Sequence, residues 1–333
     1  MNRILITGGT GFFGKSILDY RLRHPGFLAD AEITILSRHP DAFIEANPAL
    51  ANQPGLSFIA GDVRTCSTTN FTNFTNYEGA RPSETPNSCN SCNSWLNTPP
   101  PHFDTIIHAA TPAVTTLSDE EMYSTIVDGT RNVLSLAKSC GATRILFTSS
   151  GAVYGPQTAA ASEMTPTNPT TAYGRGKLFA EQLCIDSGIP VKIARCFAFT
   201  GPHLNRRIHF AIGNFIQNCL DNEPIIIKGD GTPLRSYLYA DDLVEWLFAI
   251  LDRGKPGRPY NVGSDEAISI RDLATTVRAS LNATSEIKAL GQSISGAANV
   301  YVPDISRIRD ELGVTIKTNL SDAIRDSASG TAK

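Results

Sequence analysis

Residues 7–14 read Thr-Gly-Gly-Thr-Gly-Phe-Phe-Gly and stand between an apolar run at 3–7 and a helical pattern at 14–23. The glycines allow a tight turn that approaches a pyrophosphate closely, and the following helix N-terminus offers unpaired N–H groups to an anion. Because strand, turn and helix follow one another directly, the stretch predicts a dinucleotide-binding turn. The candidate cofactor contacts within it are Gly8, Thr10, Gly11, Phe12, Phe13 and Gly14.

Strand and helix patterns alternate along the next 180 residues. This alternation indicates right-handed βαβ units. We therefore expect an α/β fold, namely a Rossmann-type doubly wound parallel sheet with a smaller C-terminal substrate-binding lobe. The predicted strands are 32–37, 56–60, 105–108, 144–149 and 191–194, and the predicted helices are 119–139 and 171–187.

The predicted domains follow the change in this pattern near residue 196. We assign residues 1–195 to a dinucleotide-binding Rossmann domain, to which 236–265 returns. Residues 196–235 and 266–333 are assigned to the substrate-binding lobe. Residues 66–101 are mostly Ser, Thr, Asn and Pro. Because such a segment has little apolar surface to offset its ordering entropy, we interpret it as a polar surface insertion.

Composition excludes several classes of function. The 333 residues include 29 Lys plus Arg and 32 Asp plus Glu, for a net charge of -3, which argues against nucleic-acid binding. No long apolar run predicts a membrane span or a secretory signal, so we expect a cytoplasmic protein. Cys89 and Cys92 form a Cys-x-x-Cys pair with no second pair or histidine at zinc-binding spacing, so we expect no metal site.

The end of the second strand bears on the choice of cofactor. Residues 36–39 read Leu-Ser-Arg-His, with no carboxylate to accept a hydrogen bond from a ribose 2′-hydroxyl. Arg38 can instead form paired hydrogen bonds with a 2′-phosphate, to which Ser37 can also donate. We therefore expect NADP as the cofactor, with NAD as the alternative. Further candidate contacts are Asp62 and Val63 at the adenine, and His108, Ala109 and Ala110 beneath the cofactor.

Tyr173 and Lys177 form a candidate acid–base pair. Their i, i+4 spacing places both side chains on one face of a helix. An ammonium beside a phenol favours the phenolate, so we expect Lys177 to lower the pKa of Tyr173 and make it a usable acid or base. Residues 148–155 read Thr-Ser-Ser-Gly-Ala-Val-Tyr-Gly and end the preceding strand. A serine hydroxyl at that end can hydrogen-bond a carbonyl or alcohol that undergoes hydride transfer.

Taken together, these motifs resemble the extended short-chain dehydrogenase/reductase family, whose nucleotide-sugar members are often called the epimerase/dehydratase family. The resemblance extends over nearly the whole chain and implies an NAD(P)-dependent oxidoreductase acting on a nucleotide sugar. It rests on Thr-Gly-x-x-Gly-x-x-Gly at 7–14, Gly-Asp-Val at 61–63, His-Ala-Ala at 108–110, Asp-Gly-Thr-Arg-Asn-Val-Leu at 128–134, Tyr173 with Lys177, Gly-Pro at 201–202, Gly-Asp-Gly-Thr at 229–232, Arg-Ser-Tyr-Leu-Tyr-Ala-Asp-Asp at 235–242 and Tyr-Asn-Val-Gly at 260–263.

The resemblance implies specific residue roles. Ser150 matches the catalytic Ser/Thr, Tyr173 the acid/base and Lys177 its partner, which also binds the nicotinamide ribose. Arg235 matches an arginine that contacts the diphosphate of a nucleotide sugar. Thr111 and Ser150 are expected to contact the substrate.

Departures from the family pattern narrow the expected chemistry. The 4,6-dehydratases place Asp-Glu directly after the catalytic Ser/Thr, whereas this chain has Gly151 and Ala152, so dehydration is not expected. No additional basic residue stands ahead of Asp304-Ile305-Ser306. The aspartates at 241–242 are expected to cap the helix that follows them.

The sequence thus predicts an NADPH-dependent reductase of a 4-keto nucleotide sugar. Hydride passes from the nicotinamide to the keto carbon, while Tyr173 protonates the oxygen and Ser150 orients it. Two alternatives remain open: a nucleotide-sugar 4-epimerase with retained NAD, and a non-catalytic dinucleotide-binding sensor. By resemblance we also expect a homodimer, formed through the helices near 119–139 and 171–187.

Overall fold

The computed structural model describes residues 2–65, 76–77, 102–111, 117–208, 210–291 and 299–330. Tertiary contacts divide the chain into two compact units, one of Met1–Phe147 with Phe179–Val191 and one of Thr148–Leu178 with Lys192–Lys333. These units do not test the domain bounds expected from the sequence, which stay a prediction. The insertion expected at 66–101 lies outside the described residues, except for 76–77.

The first unit contains the amino-terminal strands and helices. Its elements are β1 (Asn2–Thr7), α1 (Phe12–Arg23), β2 (Ala31–Ser37), α2 (Pro40–Ala46), α3 (Pro48–Ala51), β3 (Leu56–Ala60), β4 (Asn76–Tyr77), β5 (Thr105–His108), α4 (Asp119–Cys140) and the start of β6 (Arg144–Ser150).

The parallel strands of the first unit lie in the order β6, β5, β1, β2, β3, with β4 antiparallel at the edge of β3. This order turns back at β1, whose Thr7 pairs with Leu36 on one side and His108 on the other. In open α/β sheets ligands bind where the strand order reverses, beyond the carboxyl ends of the strands. The glycine turn leaves β1 at that point. The Rossmann-type doubly wound parallel sheet predicted from the sequence is confirmed.

Apolar strand residues build the core of the first unit. Ile4, Leu5 and Ile6 on β1 are consecutive and all buried, as are Ile106 and Ile107 on β5. Consecutive buried residues are typical of parallel strands covered on both faces, and this explains why the sequence shows apolar runs rather than alternation.

The second unit contains most of the carboxyl-terminal half. After β6 and a short 3₁₀-helix (Gly151–Tyr154) its elements are α5 (Ala172–Asp186), β7 (Val191–Cys196), β8 (Phe199–Thr200), α6 (Ala211–Leu220), β9 (Ile225–Ile227), β10 (Leu234–Arg235), β11 (Leu238–Tyr239), α7 (Ala240–Arg253), β12 (Pro259–Val262), β13 (Ile268–Ser269), α8 (Ile270–Ser280), β14 (Ile287–Ala289), β15 (Val300–Tyr301), α9 (Ser306–Leu312) and α10 (Leu320–Ser329).

Short strand pairs hold the second unit together. β12 runs parallel to β7, and β10 is flanked by antiparallel β13 and parallel β15. β8 pairs with β11, and β9 with β14. The largest fully buried side chains of this unit, Trp246, Tyr154 and Tyr260, pack among these elements.

Asp242 has a different role from the one expected. Helix α7 begins after Tyr239 without a side-chain cap, so the prediction that Asp241 and Asp242 cap this helix is wrong. The side chain is 1% exposed and accepts hydrogen bonds from the backbone N–H groups of Lys317 and Thr318. Burial raises the pKa of Asp242 against these two hydrogen bonds. The carboxylate of Asp242 therefore binds the segment at residues 317–318 and does not cap its own helix.

The described part of the chain contains neither a membrane-spanning helix nor a cluster of metal ligands. No helix there is long and apolar enough to cross a bilayer. No group of three or more His, Cys, Asp or Glu side chains there could hold a metal ion. The expected cytoplasmic location and homodimer stay predictions.

Candidate active site

The glycine turn has backbone geometry that other residues could not adopt. Gly8 has φ +75°, and a Cβ there would lie 2.5 Å from the carbonyl oxygen of Ala109. A Cβ at Gly14 would lie 2.1 Å from the carbonyl oxygen of Gly9. The turn therefore packs directly against the backbone that follows β5 and against the start of α1.

The N-terminus of α1 suits an anion. Its N-cap is Gly11, which makes no side-chain hydrogen bond to the helix, and the first turn contains no acidic residue. The first N–H groups of a helix lack intrahelical partners and carry partial positive charge. Thr10, Phe12 and Phe13 lie at this helix start, so the local structure fits the pyrophosphate of a dinucleotide.

Ser37 and Arg38, which are expected to distinguish NADP from NAD, lie at the end of β2. Ser37 is buried, and its Oγ lies 3.4 Å from Thr10 Oγ1 and accepts a hydrogen bond from His39 N at 3.3 Å. Arg38 is exposed. The hydroxyl of Ser37 is thus held beside the glycine turn, whereas the guanidinium of Arg38 is accessible to a phosphate.

Asp62 lies in an ion pair that the sequence analysis missed. Arg64 donates to both of its carboxylate oxygens, with Nη2 to Oδ2 at 2.7 Å. Burial favours the neutral acid, but the hydrogen bonds from Arg64 outweigh it, and the positive charge of Arg38 adds to them. The pKa of Asp62 therefore lies below its ordinary value. Val63 is buried and supports Gly129 on α4, where a Cβ would approach its side chain to 3.0 Å.

His108, the last residue of β5, is buried and joins β1 to α4. Its Nδ1 lies 2.7 Å from Thr7 Oγ1 and its Nε2 lies 3.2 Å from Thr130 Oγ1. Thr130 donates its own proton to Ile126 O at 2.7 Å, so it accepts from His108 Nε2–H. That assignment makes Nδ1 the acceptor for Thr7.

The residues after His108 line the same turn. Ala109 N donates to Thr7 O at 3.1 Å, and Ala109 O faces Gly8. Ala110 N would also lie 2.7 Å from a Cβ at Gly8. Thr111 is partly buried at the end of this described stretch. The first unit thus brings together most of the predicted cofactor contacts, and their binding role stays a prediction.

The second unit brings Ser150, Tyr173 and Lys177 together. Ser150 is the buried last residue of β6, where its Oγ accepts a hydrogen bond from Ala152 N at 3.1 Å and caps the 3₁₀-helix. Tyr173 lies in the first turn of α5 and hydrogen-bonds Ser150. Lys177 is one turn further along, with Nζ donating to Thr148 O at 2.7 Å and lying 5.9 Å from the ring centroid of Tyr173.

The pKa of Tyr173 shifts in the opposite direction from the one expected. Burial raises it, and the hydrogen bond from Ser150 offsets only part of this rise. The fall that we expected from the spacing of Tyr173 and Lys177 is therefore not found, because burial of the phenol outweighs it. Cys196 lies in the same surroundings, and burial raises its pKa to about 12. Tyr173 is therefore a neutral phenol, a proton donor.

Glycines allow the elements of this cluster to approach closely. A Cβ at Gly174 would lie 2.7 Å from the carbonyl oxygen of Ala152, so α5 packs directly on the 3₁₀-helix. A Cβ at Gly151 would lie 2.7 Å from Cε1 of Phe197. The ring of Phe197 thus fills the space next to Ser150 in which a side chain at position 151 would project.

Tyr301 is a member of the cluster that the sequence analysis missed. Its Oη lies 3.5 Å from Ser150 Oγ, and its ring centroid lies 4.9 Å from that of Phe197. Burial raises the pKa of Tyr301, so it too is a neutral phenol. Nothing in the motif pattern marks this residue, because it lies far along the chain from the other members.

Arg235 stands beside Tyr301 in the register of β10 and β15. Its Nη1 donates to Leu234 O at 2.8 Å and to Asn299 O at 3.1 Å. Among the described residues its hydrogen bonds all involve Nη1. Burial lowers its pKa from the high ordinary value of an arginine. The remaining donors of this partly buried cation suit the predicted diphosphate contact.

Tyr154, which follows Ser150 in the 3₁₀-helix, belongs to a buried network of polar side chains. Tyr154 Oη donates to Asn261 Oδ1 at 2.7 Å and accepts from Arg195 Nη1 at 3.0 Å. Asn261 Nδ2 donates to Ala161 O at 2.8 Å and Asp304 O at 3.1 Å. Asn261 of the Tyr-Asn-Val-Gly stretch thus joins the segments that contain Tyr154, Ala161 and Asp304.

Comparison with known proteins gives relatives among nucleotide-sugar enzymes. The chain is 34% identical to UDP-glucuronic acid decarboxylase 6 of Arabidopsis thaliana over 234 residues, which are 66% of this chain and 67% of that protein. It is 31% identical to UDP-glucuronic acid decarboxylase 1 of Xenopus tropicalis over 226 residues, 63% of this chain and 52% of that protein.

Solved structures share the fold at low sequence identity. UDP-glucuronic acid 4-epimerase from Bacillus cereus superposes with a TM-score of 0.77 at 22% identity, covering 98% of both chains. The dTDP-glucose 4,6-dehydratase of Streptomyces venezuelae gives 0.78 at 24% identity, covering 98% of this chain and 95% of that one. Residues 4–263 also match the family described as the NAD dependent epimerase/dehydratase family. The chain belongs to the NAD-dependent epimerase/dehydratase family.

Proposed function

We propose that this protein is an NADPH-dependent oxidoreductase that reduces a 4-keto nucleotide sugar. One observation carries the proposal most directly. The Ser150–Tyr173 pair holds a neutral phenol, and the space at Gly151, directly after Ser150, is filled by Phe197. The site therefore offers a proton donor for a forming alkoxide and has no carboxylate at positions 151–152 to remove a proton from carbon.

The turn at residues 7–14 supports use of a dinucleotide. Its glycines leave no room for side chains, and the helix behind it begins without a cap or an acidic residue. Arg38 supports NADP over NAD, because an exposed guanidinium at the end of β2 suits a 2′-phosphate better than a 2′-hydroxyl. The solved relatives named above with a cofactor hold NAD, so NAD remains the alternative.

The chain's own residues have distinct roles in the proposed reduction. When bound, a reduced nicotinamide supplies the hydride to the keto carbon. Tyr173 holds the proton at Oη and gives it to the oxygen of that carbon as the alcohol forms. Ser150 donates a hydrogen bond to the same oxygen and stabilises the developing charge. Lys177, whose Nζ lies 5.9 Å from the ring centroid of Tyr173, is proposed to bind the nicotinamide ribose.

Arg235 is proposed to bind the diphosphate of the sugar nucleotide. It lies opposite Tyr301 in the pairing of β10 with β15, and its hydrogen bonds to other described residues are made by Nη1. A guanidinium can bind a phosphate with two parallel hydrogen bonds. Thr111 is proposed as a further substrate contact.

Epimerisation at C4 is the second candidate. An epimerase also needs only the redox step, so Gly151 and Ala152 are compatible with it. Its first half-reaction is an oxidation, however, in which Tyr173 must accept a proton as phenolate. We place reduction first because the exposed Arg38 favours NADPH, a cofactor that is consumed and exchanged, over a retained NAD.

Two measurements test the proposal. Mass spectrometry of the purified protein identifies any retained dinucleotide, and NADPH consumption is followed with dTDP-4-keto-6-deoxyglucose and with a UDP-4-keto sugar. We expect no retained NAD and NADPH-dependent formation of the alcohol. Retained NAD with interconversion of C4 epimers would establish the epimerase. Release of carbon dioxide from UDP-glucuronic acid would place the protein with its decarboxylase relatives, and binding without any turnover would favour the sensor.

A further inference from the structure

Ser150 is shared between two phenols. Its Oγ hydrogen-bonds Tyr173 and lies 3.5 Å from Tyr301 Oη, where either oxygen has the geometry to donate. It also accepts a hydrogen bond from Ala152 N at 3.1 Å. Three hydroxyl groups and one backbone N–H therefore meet at this point.

The number of protons and lone pairs limits how these groups can bond. A serine hydroxyl has one proton and two acceptor lone pairs, and Ala152 N–H occupies one of the lone pairs. Ser150 can therefore accept from only one of the two phenols. If one phenol donates to Ser150, the serine donates its own proton to the other phenol. That second phenol keeps its proton and can donate it to a group outside the cluster.

The proposed reaction decides which phenol that is. Tyr173 must donate its proton to the substrate oxygen, so its hydroxyl is not the donor in the hydrogen bond with Ser150. Ser150 then has to donate its own proton to the Oη of Tyr173. The free lone pair of Ser150 is then left to Tyr301.

The position of Tyr301 is held by its surroundings. β15 pairs with β10, which places Tyr301 opposite Arg235. On either side of it, Val300 N donates to Gln157 O at 2.9 Å and Ala161 N donates to Val302 O at 3.0 Å. The ring packs on Phe197, so the hydroxyl is held in place by contacts that do not involve Ser150.

We propose that Tyr301 is a positioning residue that makes Ser150 a hydrogen-bond donor. By donating to the remaining lone pair of Ser150, Tyr301 directs the serine proton to Tyr173 Oη or to the reacting oxygen. This inference rests on the proposed function, since it requires Tyr173 to be the proton donor. In this proposal the effect of Tyr301 on the reaction passes through Ser150, 3.5 Å from its hydroxyl.

A double-mutant cycle tests this route. Tyr301→Phe keeps the ring on Phe197 and removes only the hydroxyl. With NADPH and dTDP-4-keto-6-deoxyglucose we expect kcat to fall about 3- to 10-fold, the effect of one hydrogen bond, with KM little changed. In a Ser150→Ala background the same substitution should have no further effect, because residues that act as a unit are not additive.

Tyr154→Phe is the matched control. Tyr154 is a buried phenol of the same packed cluster, but its hydroxyl bonds Asn261 and Arg195. Its loss acts on packing and stability, so its effect on kcat should multiply with that of Ser150→Ala. If Tyr301→Phe also multiplied with Ser150→Ala, Tyr301 would act independently of Ser150 and the proposal would be overturned.

A second measurement needs no turnover. Tyrosine is replaced by fluorotyrosine in the full chain, and the fluorine resonance of position 173 is assigned from its loss in Tyr173→Phe. Tyr301→Phe should raise the titration midpoint of Tyr173, because Ser150 is no longer fixed as its donor, and should not move it in the Ser150→Ala background. An unchanged midpoint would refute the role of Tyr301. Absence of keto-sugar reduction with a shifted midpoint would overturn the proposed reaction alone.

Discussion

The ring of Phe197 occupies the space that a side chain at position 151 would need. A Cβ there would lie 2.7 Å from Phe197 Cε1, closer than real Cβ atoms approach another carbon. Phe197 directly follows β7, and its backbone N–H donates to Val262 O at 2.9 Å on β12, so the ring cannot easily withdraw. Packing therefore leaves no room for an acidic or basic side chain directly after Ser150, which agrees with the proposed reduction.

Substitution of Gly151 tests this packing. Gly151→Ala should lower the free energy of unfolding by about 1–3 kcal/mol, because the added methyl group overpacks the site. Chemical denaturation measures the change. Gly26→Ala is the control, since no described atom lies within 4 Å of a Cβ built there. In a Phe197→Ala background the cost of Gly151→Ala should shrink, and an equal cost in both backgrounds would show that Phe197 is not the obstacle.

Tyr173→Phe tests the proposed proton donor. Because only the hydroxyl is removed, we expect the protein to fold and bind cofactor while turnover of a 4-keto nucleotide sugar falls by roughly 10² to 10⁴, the usual contribution of a positioned acid or base. Steady-state kinetics and cofactor titration separate the two effects. Tyr20→Phe, on α1, is the control. Full activity of Tyr173→Phe on a confirmed substrate would remove Tyr173 from the chemistry.

The pH dependence of turnover follows from the protonation state of Tyr173. Burial raises its pKa, and the protonated form is the donor in a reduction. The rate of reduction should therefore be constant through neutral pH and fall as the pH rises through the pKa of Tyr173, where the proton is lost. A kcat profile over this range checks the sign. A rate that instead increases with pH would indicate that the phenolate is the active form, as an initial oxidation requires.

Arg38 is expected to select the cofactor. Arg38→Asp should weaken NADPH binding about 10- to 100-fold, since a hydrogen bond to a charged group contributes about 1.5–3 kcal/mol. NADH, which lacks the 2′-phosphate, should be affected much less. Fluorescence titration of both cofactors measures the difference, with Arg23→Ala as a control in an exposed ion pair with Asp19. Tighter binding of NADH than NADPH by the unmodified protein would rule out the NADPH assignment.

Asp242→Ala should destabilise the second unit. It removes the carboxylate that accepts hydrogen bonds from the N–H groups of Lys317 and Thr318, and a hydrogen bond to a charged group contributes about 1.5–3 kcal/mol. Thermal and chemical unfolding measure the loss. The exposed Asp310→Ala should change stability by no more than about 0.5 kcal/mol. Similar values for the two variants would show that the Asp242 contacts contribute little.

Local patterns in the sequence predicted the elements of the fold and the residues that lie close together along the chain. The glycines of 7–14, the i, i+4 pair of Tyr173 and Lys177, and Ser150 at the end of a strand were all predicted in this way. Each depends on the geometry of a single turn, helix or strand end, and that geometry follows from a few consecutive residues.

The surroundings of those residues were decided only by the tertiary structure. Tyr301 reaches Ser150 because β15 pairs with β10, and Phe197 reaches Gly151 from the end of β7. The pKa of Tyr173 rises where spacing alone predicted a fall, because burial of the phenol decides it. Spacing along one helix determines which side chains share a face. Burial and contacts between distant strands exist only after the chain has folded, and they set the charge and hydrogen-bond direction of the same side chains.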